Sequence, residues 1–300
     1  MVKHILALAV LFGCAMPLYA AEFEIKDSEG IYADILRDGK TLVRYMYARD
    51  EGTDATRHNT YKVYCHVFDP SGKETITKGP GGKYTHHRGM FIGFSKLTSN
   101  GKTSDLWHMK NTLQRHIKFV RKEVTGDGSV FSSVIHWTIP GATIVEETRT
   151  LTVHDDDDSH LVVDFVSELK AIGSDAKFGG DPEHAGMQYR PHNGVAENKS
   201  AKYVFPKENT NVQKEVDLPW AALTYQLGDA TYSVQHMNHP DNPTGTRYSA
   251  YRDYGRFGAF PVFEVRENET RTLRYRIRVT LGEVPSREVL DVEYKKFVGS

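Results

Sequence analysis

A strict alternation of apolar and polar side chains near the C-terminus is the feature that most constrains the fold. Between Thr270 and Leu281, apolar residues occupy every second position and arginine or threonine the positions between, as Leu273, Tyr275, Ile277, Val279 and Leu281 against Arg274, Arg276, Arg278 and Thr280. Because successive side chains of a strand point to opposite faces, this pattern predicts a strand with one buried and one solvated face. Such a strand needs a partner layer that covers its apolar side.

Comparable runs cover most of the chain. Nine further segments bounded by Gly, Pro, Asp and Ser are predicted strands: 23–26, 43–48, 62–68, 90–94, 116–124, 130–139, 143–153, 161–169 and 230–236. Short strands without helices between them indicate antiparallel sheets, so we expect an all-β protein built as a large antiparallel β-sandwich. One short C-terminal helix is predicted, with Ser286 as N-cap and Leu290, Tyr294 and Phe297 on one face.

The first 21 residues indicate export. Lys3 and His4 precede the apolar run 5–12, and the segment ends in small residues at Ala20 and Ala21, which is the order of a secretory signal peptide. The apolar run is much shorter than the roughly 20 residues that a membrane span needs. We therefore expect cleavage after Ala20 or Ala21 and a secreted or periplasmic protein of bacterial type.

Cleavage has two consequences for the mature chain. Residues 22–300 show no repeat, linker or composition break, so we expect a single β-sandwich domain without an integral membrane segment. Cys14 is removed and Cys65 remains alone in a predicted strand, where it reads as an inert core thiol. Lipidation at Cys14 is a minor alternative to cleavage after Ala21. The sequence does not indicate an oligomeric state.

Charge and missing motifs exclude several classes of function. The chain has 38 Lys and Arg against 39 Asp and Glu, a net charge of −1, which lacks the basic character of a nucleic-acid binder. It contains no nucleophile elbow, phosphate-binding loop, dinucleotide fingerprint or His-Glu-x-x-His motif. No cofactor is predicted, although a divalent metal held by histidines from separate strands stays open.

One group of candidate catalytic residues lies at a predicted junction between a loop and a strand. His86, His87 and Arg88 follow a Gly-rich turn and precede the predicted strand 90–94. If a strand began at His86, only one of the two histidines would face a given cleft, and Arg88 would share the face of His86. A surface turn without function is the alternative.

A second group follows within one loop and one strand. Asp105 and His108 could supply an acid or a base, Trp107 could offer a platform to a sugar, and His116 comes shortly after. Burial of Trp107 in the core is the competing interpretation.

A third group occupies the polar segment 181–192. Tyr189 and Arg190 could move a proton and neutralise a carboxylate, as β-elimination on a uronic acid requires, and His192 is a candidate substrate-binding residue. The alternative is that the arginine pairs with a structural Asp.

The last group lies in turns rich in Asn and Pro. His239, Asn242, Arg252 and Tyr254 are candidate substrate-binding residues there. His236 and His239 are three residues apart, but these surroundings cannot form the helix that a zinc site with this spacing needs, so no metal ligands are assigned.

The order of these blocks resembles a known family. The similarity spans roughly residues 60 to 281 and rests on His86-His-Arg-Gly89, Asp105-Leu-Trp107, His116, Gly186 through Arg190, His239-Pro-x-Asn-Pro243 and Arg252-Asp-Tyr-Gly255. The chain resembles the DUF6807 family of secreted bacterial proteins, which also carries the label methane oxygenase PmoA. That label does not fit, because the mature chain has no apolar run long enough to cross a bilayer.

The resemblance implies a β-sandwich, with analogy to the supersandwich of sugar mutarotases, in a family found among genes for glycan breakdown and without agreed catalytic residues. The chain departs from the family at Glu183-His184-Ala185, where a Glu-Gly-Gly type of sequence is usual, so the resemblance assigns no role to His184.

The leading hypothesis is a secreted carbohydrate-active enzyme with a carbohydrate substrate, either a glycan lyase or a glycoside hydrolase. An elimination would use a His or Tyr189 as base and Arg88 or Arg190 for the carboxylate, whereas hydrolysis would draw two carboxylates from Asp105, Asp181 and Glu183. A non-catalytic glycan-binding sandwich and a His-ligated metal-dependent enzyme are the alternatives.

Overall fold

The computed structural model describes residues 21–299, which form 20 strands and three helices. The strands are β1 (Phe23–Ser28), β2 (Tyr32–Arg37), β3 (Lys40–Met46), β4 (Tyr64–Val67), β5 (Met90–Phe94), β6 (Lys96–Ser99), β7 (Lys102–Ser104), β8 (Leu113–Thr125), β9 (Gly128–Ile139), β10 (Ala142–His154), β11 (Leu161–Ala171), β12 (Ala176–Gly179), β13 (Ala185–Tyr189), β14 (Lys202–Val204), β15 (Trp220–Leu227), β16 (Ala230–Asn238), β17 (Arg247–Tyr248), β18 (Phe257–Phe260), β19 (Phe263–Val265) and β20 (Thr270–Leu281). The helices are α1 (Asp54–Asn59), α2 (Asn193–Asn198) and α3 (Arg287–Val298).

The strands form two large sheets and one small one. The first has the order β1-β2-β3-β4-β5-β13-β18-β17, the second β14-β15-β16-β20-β11-β10-β9-β8, and the four-stranded sheet β19-β12-β6-β7. The ladders in all three sheets are antiparallel, which confirms the predicted antiparallel β-sandwich. The alternating strand β20 lies inside the second sheet, between β16 and β11.

Side chains of the two large sheets meet in one apolar core. The Tyr45 hydroxyl of β3 lies 2.7 Å from the Ser133 hydroxyl of β9, so polar contacts also cross between the sheets. Cys65 in β4 is fully buried, and burial raises the pKa of its thiol to about 12. This confirms that Cys65 is a core residue.

A buried ion pair also lies within the core. Arg149 in β10 donates from Nε and Nη2 to the two carboxylate oxygens of Glu147, at 2.9 and 2.8 Å, and both side chains are fully buried. The carboxylate accepts further bonds from Trp137 Nε1 and the Ser167 hydroxyl, both at 2.8 Å. Arg149 Nη1 donates to the carbonyl of Val63 at 3.1 Å, so this pair links the second sheet to the entry of β4 in the first.

The C-terminal helix is confirmed as α3. Leu290 and Phe297 are its buried residues, and they pack with Trp220 and Met237 of the second sheet. Ser286 stands at the N-cap, but its side chain makes no capping hydrogen bond. The two short helices α1 and α2 were not predicted, since six residues are too few to establish a helical period.

The predicted signal peptide comprises residues 1–21 and includes Cys14. Apart from Ala21, these residues lie outside the described part of the chain. Within residues 21–299, none of the helices combines the length and the apolar character that crossing a membrane requires.

We predict that Glu147→Gln lowers the free energy of unfolding by about 3 to 5 kcal/mol, because it leaves the buried Arg149 guanidinium without a counter-charge. Urea denaturation followed by fluorescence measures the change. Asp54→Asn is the control, because it breaks an exposed ion pair with Arg57 and should leave the midpoint nearly unchanged. Equal small effects of both substitutions would contradict the prediction.

A second prediction concerns pH. His236 in β16 is fully buried against Tyr248 and Phe257, and burial lowers its pKa from about 6.5 to about 3. The unfolded chain therefore binds a proton below pH 6.5 that the folded chain does not, so stability is lost as the pH falls. His236 should account for about 2 kcal/mol of the loss between pH 7.5 and pH 5.

The measurement is the pH dependence of urea unfolding. His236→Phe should show the shallower slope, whereas Tyr248→Phe, which alters the same pocket without removing a group that titrates in this range, should keep the wild-type slope. Identical slopes for wild type and His236→Phe would refute the assignment.

Candidate active site

Polar loops meet beside β5 and β13, which lie in the middle of the first sheet. The segments involved are the last residues of the loop 68–89, which joins β4 to β5, and the loop residues 105–112, 180–184 and 249–256. Arg190, which directly follows β13, also contributes. We call their meeting point the histidine cleft and define it by His86, His87, His108, His184, Arg190 and Tyr254.

Two glycines of the sequence blocks allow these segments to approach one another. A Cβ on Gly89 would lie 2.2 Å from the carbonyl oxygen of Cys65. Gly255 has a φ of +80°, and a Cβ there would lie 2.3 Å from Cγ of Pro191. Neither position has room for a side chain, so the glycines that end the His-His-Arg-Gly and Arg-Asp-Tyr-Gly blocks serve close packing.

The four imidazoles form a contiguous group. The ring centroid of His86 lies 4.5 Å from those of both His87 and His108, and His184 lies 5.1 Å from His108 and 6.5 Å from His86. The predicted strand 90–94 is confirmed as β5, which begins at Met90, so His86 and His87 lie in the preceding loop. The face rule for strands therefore does not apply, and both His86 and His87 take part in the cleft.

Carboxylates orient two of these rings. Asp105 Oδ2 lies 2.8 Å from His108 Nδ1, and Asp181 Oδ1 lies 3.0 Å from His184 Nδ1. Asp105 Oδ1 also accepts the backbone N–H groups of Trp107 and His108. Burial by itself raises the pKa of Asp105, but the bonds from His108 and the backbone outweigh it and lower the pKa to about 2.

The other two imidazoles are held neutral. Burial, followed by the charges of His108 and Lys62, lowers the pKa of His86 to about 3. Burial and then Arg190 lower the pKa of His87 well below its usual value, and its ring is 3% exposed and stacked on Tyr84. A neutral imidazole has a lone pair that can accept a proton.

Arg190 is the most unusual group in the cleft. It is 1% exposed, and its Nε, Nη1 and Nη2 find no hydrogen-bond partner among the described residues. Burial, then repulsion from Arg256, lowers its pKa to about 9. A buried guanidinium without a partner is costly, and its fork of donors matches a carboxylate. The alternative that Arg190 pairs with a structural Asp does not hold in this structure.

A second arginine beside Arg190 is already paired. Arg256 contacts Glu183 and the Tyr254 hydroxyl, and Glu183 Oε1 also accepts from Tyr251 at 2.5 Å and from Arg252 at 2.8 Å. Burial raises the pKa of Glu183, but these bonds outweigh it and lower the pKa to about 2. Two of the predicted residues, Arg252 and Tyr254, thus belong to the cleft region, and Tyr254 packs on Tyr84 at 4.7 Å.

Lys62 supports the cleft and was missed by the sequence analysis. It is 2% exposed, and its ammonium donates to the carbonyls of His86 at 3.0 Å and Trp107 at 2.6 Å. It also lies 4.3 Å above the ring of Phe91, and burial lowers its pKa well below 10.5. The signal that could have revealed it is a lysine at the start of an apolar predicted strand, 62–68.

Two predicted site residues have structural roles instead. Arg88 is fully buried and donates to the carbonyls of Thr85, His87 and His58, so its guanidinium is committed to the backbone. Trp107 is fully buried against Phe91 at 4.7 Å and cannot serve as a sugar platform.

Tyr189 and His116 also lie outside the cleft. Tyr189 is fully buried in the core, where its hydroxyl contacts that of Tyr225 at 2.8 Å and burial raises its pKa. Adjacent residues of an extended chain point to opposite sides, so only Arg190 can reach the cleft. His116 packs in β8 against Tyr47 and Phe119, at 4.6 and 4.5 Å.

The remaining predicted binding residues act in turns and caps. His192 is the N-cap of α2 and accepts the N–H of Gly194. Asn242 is buried and bonds the backbone of Arg274 through both its oxygen and its nitrogen, while His239 packs on Phe297 of α3. These contacts place His239 and Asn242 beside α3 and β20, where they stabilise the turn.

Across residues 21–299, no three His, Cys, Asp or Glu side chains are arranged to hold a metal ion.

We predict that Arg190→Met raises the free energy of unfolding by about 1 to 3 kcal/mol, because it replaces an unpaired buried charge with an apolar chain. Arg88→Met is the matched control: it removes an equally buried guanidinium whose three carbonyl partners would be left unpaired, and it should destabilise the protein. Urea denaturation of both variants provides the test, and a clear loss of stability in Arg190→Met would contradict it.

Several solved structures are similar to this chain at low sequence identity. The chain is 10% identical to a heparan sulfate lyase HepC mutant from Pedobacter heparinus, with a TM-score of 0.42 over 90% of this chain and 38% of that one. It is 10% identical to YeaD of Salmonella typhimurium, described as a mutarotase candidate, with a TM-score of 0.42 over 88% and 95%. For the ligand-free α-N-acetylgalactosaminidase NagBb from Bifidobacterium bifidum, the values are 10% and 0.32 over 95% and 38%.

The chain thus spans well under half of the lyase and of the galactosaminidase. Among curated proteins, no sequence matches it. A family model described as a family of unknown function, DUF6807, matches residues 32–295, which is most of the chain and includes every segment of the histidine cleft. The chain therefore belongs to the DUF6807 family.

Proposed function

We propose that this protein is a secreted carbohydrate-active enzyme that cleaves an acidic polysaccharide or oligosaccharide by β-elimination. The observation that carries the proposal is the buried, unpartnered guanidinium of Arg190 next to the neutral imidazole of His87. The export signal predicted in the first 21 residues supports a site of action outside the cytoplasm.

The two groups match the needs of elimination at a uronic acid. The proton to be removed lies on the carbon next to a carboxylate, and its removal builds negative charge on that carboxylate. Arg190 would bind the carboxylate through two parallel hydrogen bonds and stabilise this charge. His87 is held neutral, so it can accept the proton without first losing one of its own.

The carboxylates near the cleft favour elimination over hydrolysis. Hydrolysis by a carboxylate pair needs one member protonated, with a raised pKa. The pKa values of Asp105 and Glu183 are instead lowered to about 2, and Asp181 is bonded to His184. At neutral pH neither Asp105 nor Glu183 can donate a proton to a glycosidic oxygen.

The experiment is a screen of the protein against uronic-acid and neutral polysaccharides and oligosaccharides. Reducing ends and the ultraviolet absorbance of the new C=C bond are followed together. We expect both signals with a uronic-acid substrate. Reducing ends without absorbance would establish hydrolysis, and binding without either signal would establish a glycan-binding protein; each would overturn the proposal.

Three variants test the assigned roles. His87→Gln should lower kcat by about 10²- to 10⁴-fold, the usual contribution of a general base. Arg190→Met should lower kcat/KM by about 10²-fold or more, because the developing charge loses its partner. His239→Gln, a histidine outside the cleft, is the matched control and should keep wild-type rates; full activity in His87→Gln would refute its role as base.

A further inference from the structure

The four imidazoles of the cleft fall into two pairs with opposite surroundings. Burial, together with nearby cationic groups, lowers the pKa values of His86 and His87. His108 and His184 each have Nδ1 within hydrogen-bond distance of a carboxylate oxygen. A carboxylate bonded to one ring nitrogen orients an imidazole and leaves the other nitrogen for proton transfer.

We infer that His108 is the general acid that protonates the departing glycosidic oxygen, with Asp105 as the residue that positions it. This inference rests on the proposed elimination. It assigns a residue to the protonation of the leaving group, a step for which His87 and Arg190 supply no group. With Nδ1 held by Asp105, Nε2 is the nitrogen of His108 left for proton transfer.

Rigidity selects His108 over His184. The Asp105 side chain is 19% exposed and is fixed by two backbone N–H groups, whereas the Asp181 side chain is 53% exposed. Catalytic groups need locked partners to hold productive geometry. The rings of His87 and His108 both lie 4.5 Å from the ring of His86, so the proposed base and acid flank a common neighbour.

Protons and electron pairs are conserved in the proposed elimination. His87 takes the proton from the carbon next to the carboxylate, and the electron pair of that C–H bond forms the C=C bond. The C–O bond to the leaving sugar breaks, its electrons stay on oxygen, and the oxygen takes the proton from Nε2 of His108. His87 ends as imidazolium and His108 as imidazole, and exchange of one proton each with solvent restores the resting state.

The test compares two uronide substrates of the same ring, one with a sugar alkoxide leaving group and one with an aryloxide that departs without a proton. His108→Gln should lose at least about 10²-fold in kcat on the first substrate and less than about fivefold on the second. The basic limb of its pH–rate profile, which reports the acid, should disappear. Asp105→Asn should show the same pattern with a smaller loss.

His154→Gln is the matched control, because it removes a carboxylate-bound imidazole outside the cleft, with His154 Nε2 at 2.8 Å from Asp164 Oδ2, and it should keep wild-type rates on both substrates. Equal losses on the two substrates in His108→Gln, with the fold intact by circular dichroism, would overturn the acid assignment while the elimination stands. Absence of elimination by the wild-type protein on either substrate would overturn the proposed function and this assignment together.

Discussion

The arrangement of the cleft depends on a buried ammonium that joins two loops. Lys62 donates to the carbonyls of His86 and Trp107, so it ties the loop that carries His86 and His87 to the loop that carries Asp105 and His108. Its neighbour Val63 is held by Arg149, which is paired with Glu147 in the second sheet. The loops are thus anchored, through one dipeptide, to the charged centre of the sandwich. Buried cations of this kind are tolerated only where carbonyls or carboxylates satisfy them.

Arg190 stands apart from these anchored cations because none of its side-chain nitrogens has a hydrogen-bond partner among the described residues. Arg88, equally buried, has three carbonyl partners, and Arg256 has Glu183. Because the guanidinium of Arg190 is buried without a hydrogen-bond partner where four loops meet, it lowers the stability of the folded protein. Such local conflicts between stability and chemistry are expected at functional sites, where the missing partner is supplied by a ligand.

Structural features that a local sequence pattern sets were predicted, whereas features that depend on contacts between neighbouring side chains in space were not. Alternation predicted β20, and spacing predicted the apolar face of α3. Loop chemistry singled out His86, His87, Asp105, His108 and Arg190, side chains that the structure brings together. It could not separate Arg88 from Arg190, since both are buried arginines in polar segments and differ only in which carbonyls surround them. It also passed over Lys62, because the carbonyl groups that its ammonium contacts, those of His86 and Trp107, lie far away in sequence.

Sequence by itself determined the fold class, because the two-residue period of a strand and the need to cover its apolar face act locally. Tyr189 and Arg190, as neighbours in an extended segment, point to opposite sides, although both were predicted to act in one site. Only the tertiary structure decided which side became the core and which the cleft, and which imidazoles received a carboxylate or a cation as neighbour. The contact of Tyr189 with Tyr225 and the effect of Arg190 on His87 join distant parts of the chain. The pKa of an imidazole depends on the charges and burial around it rather than on its position in the chain.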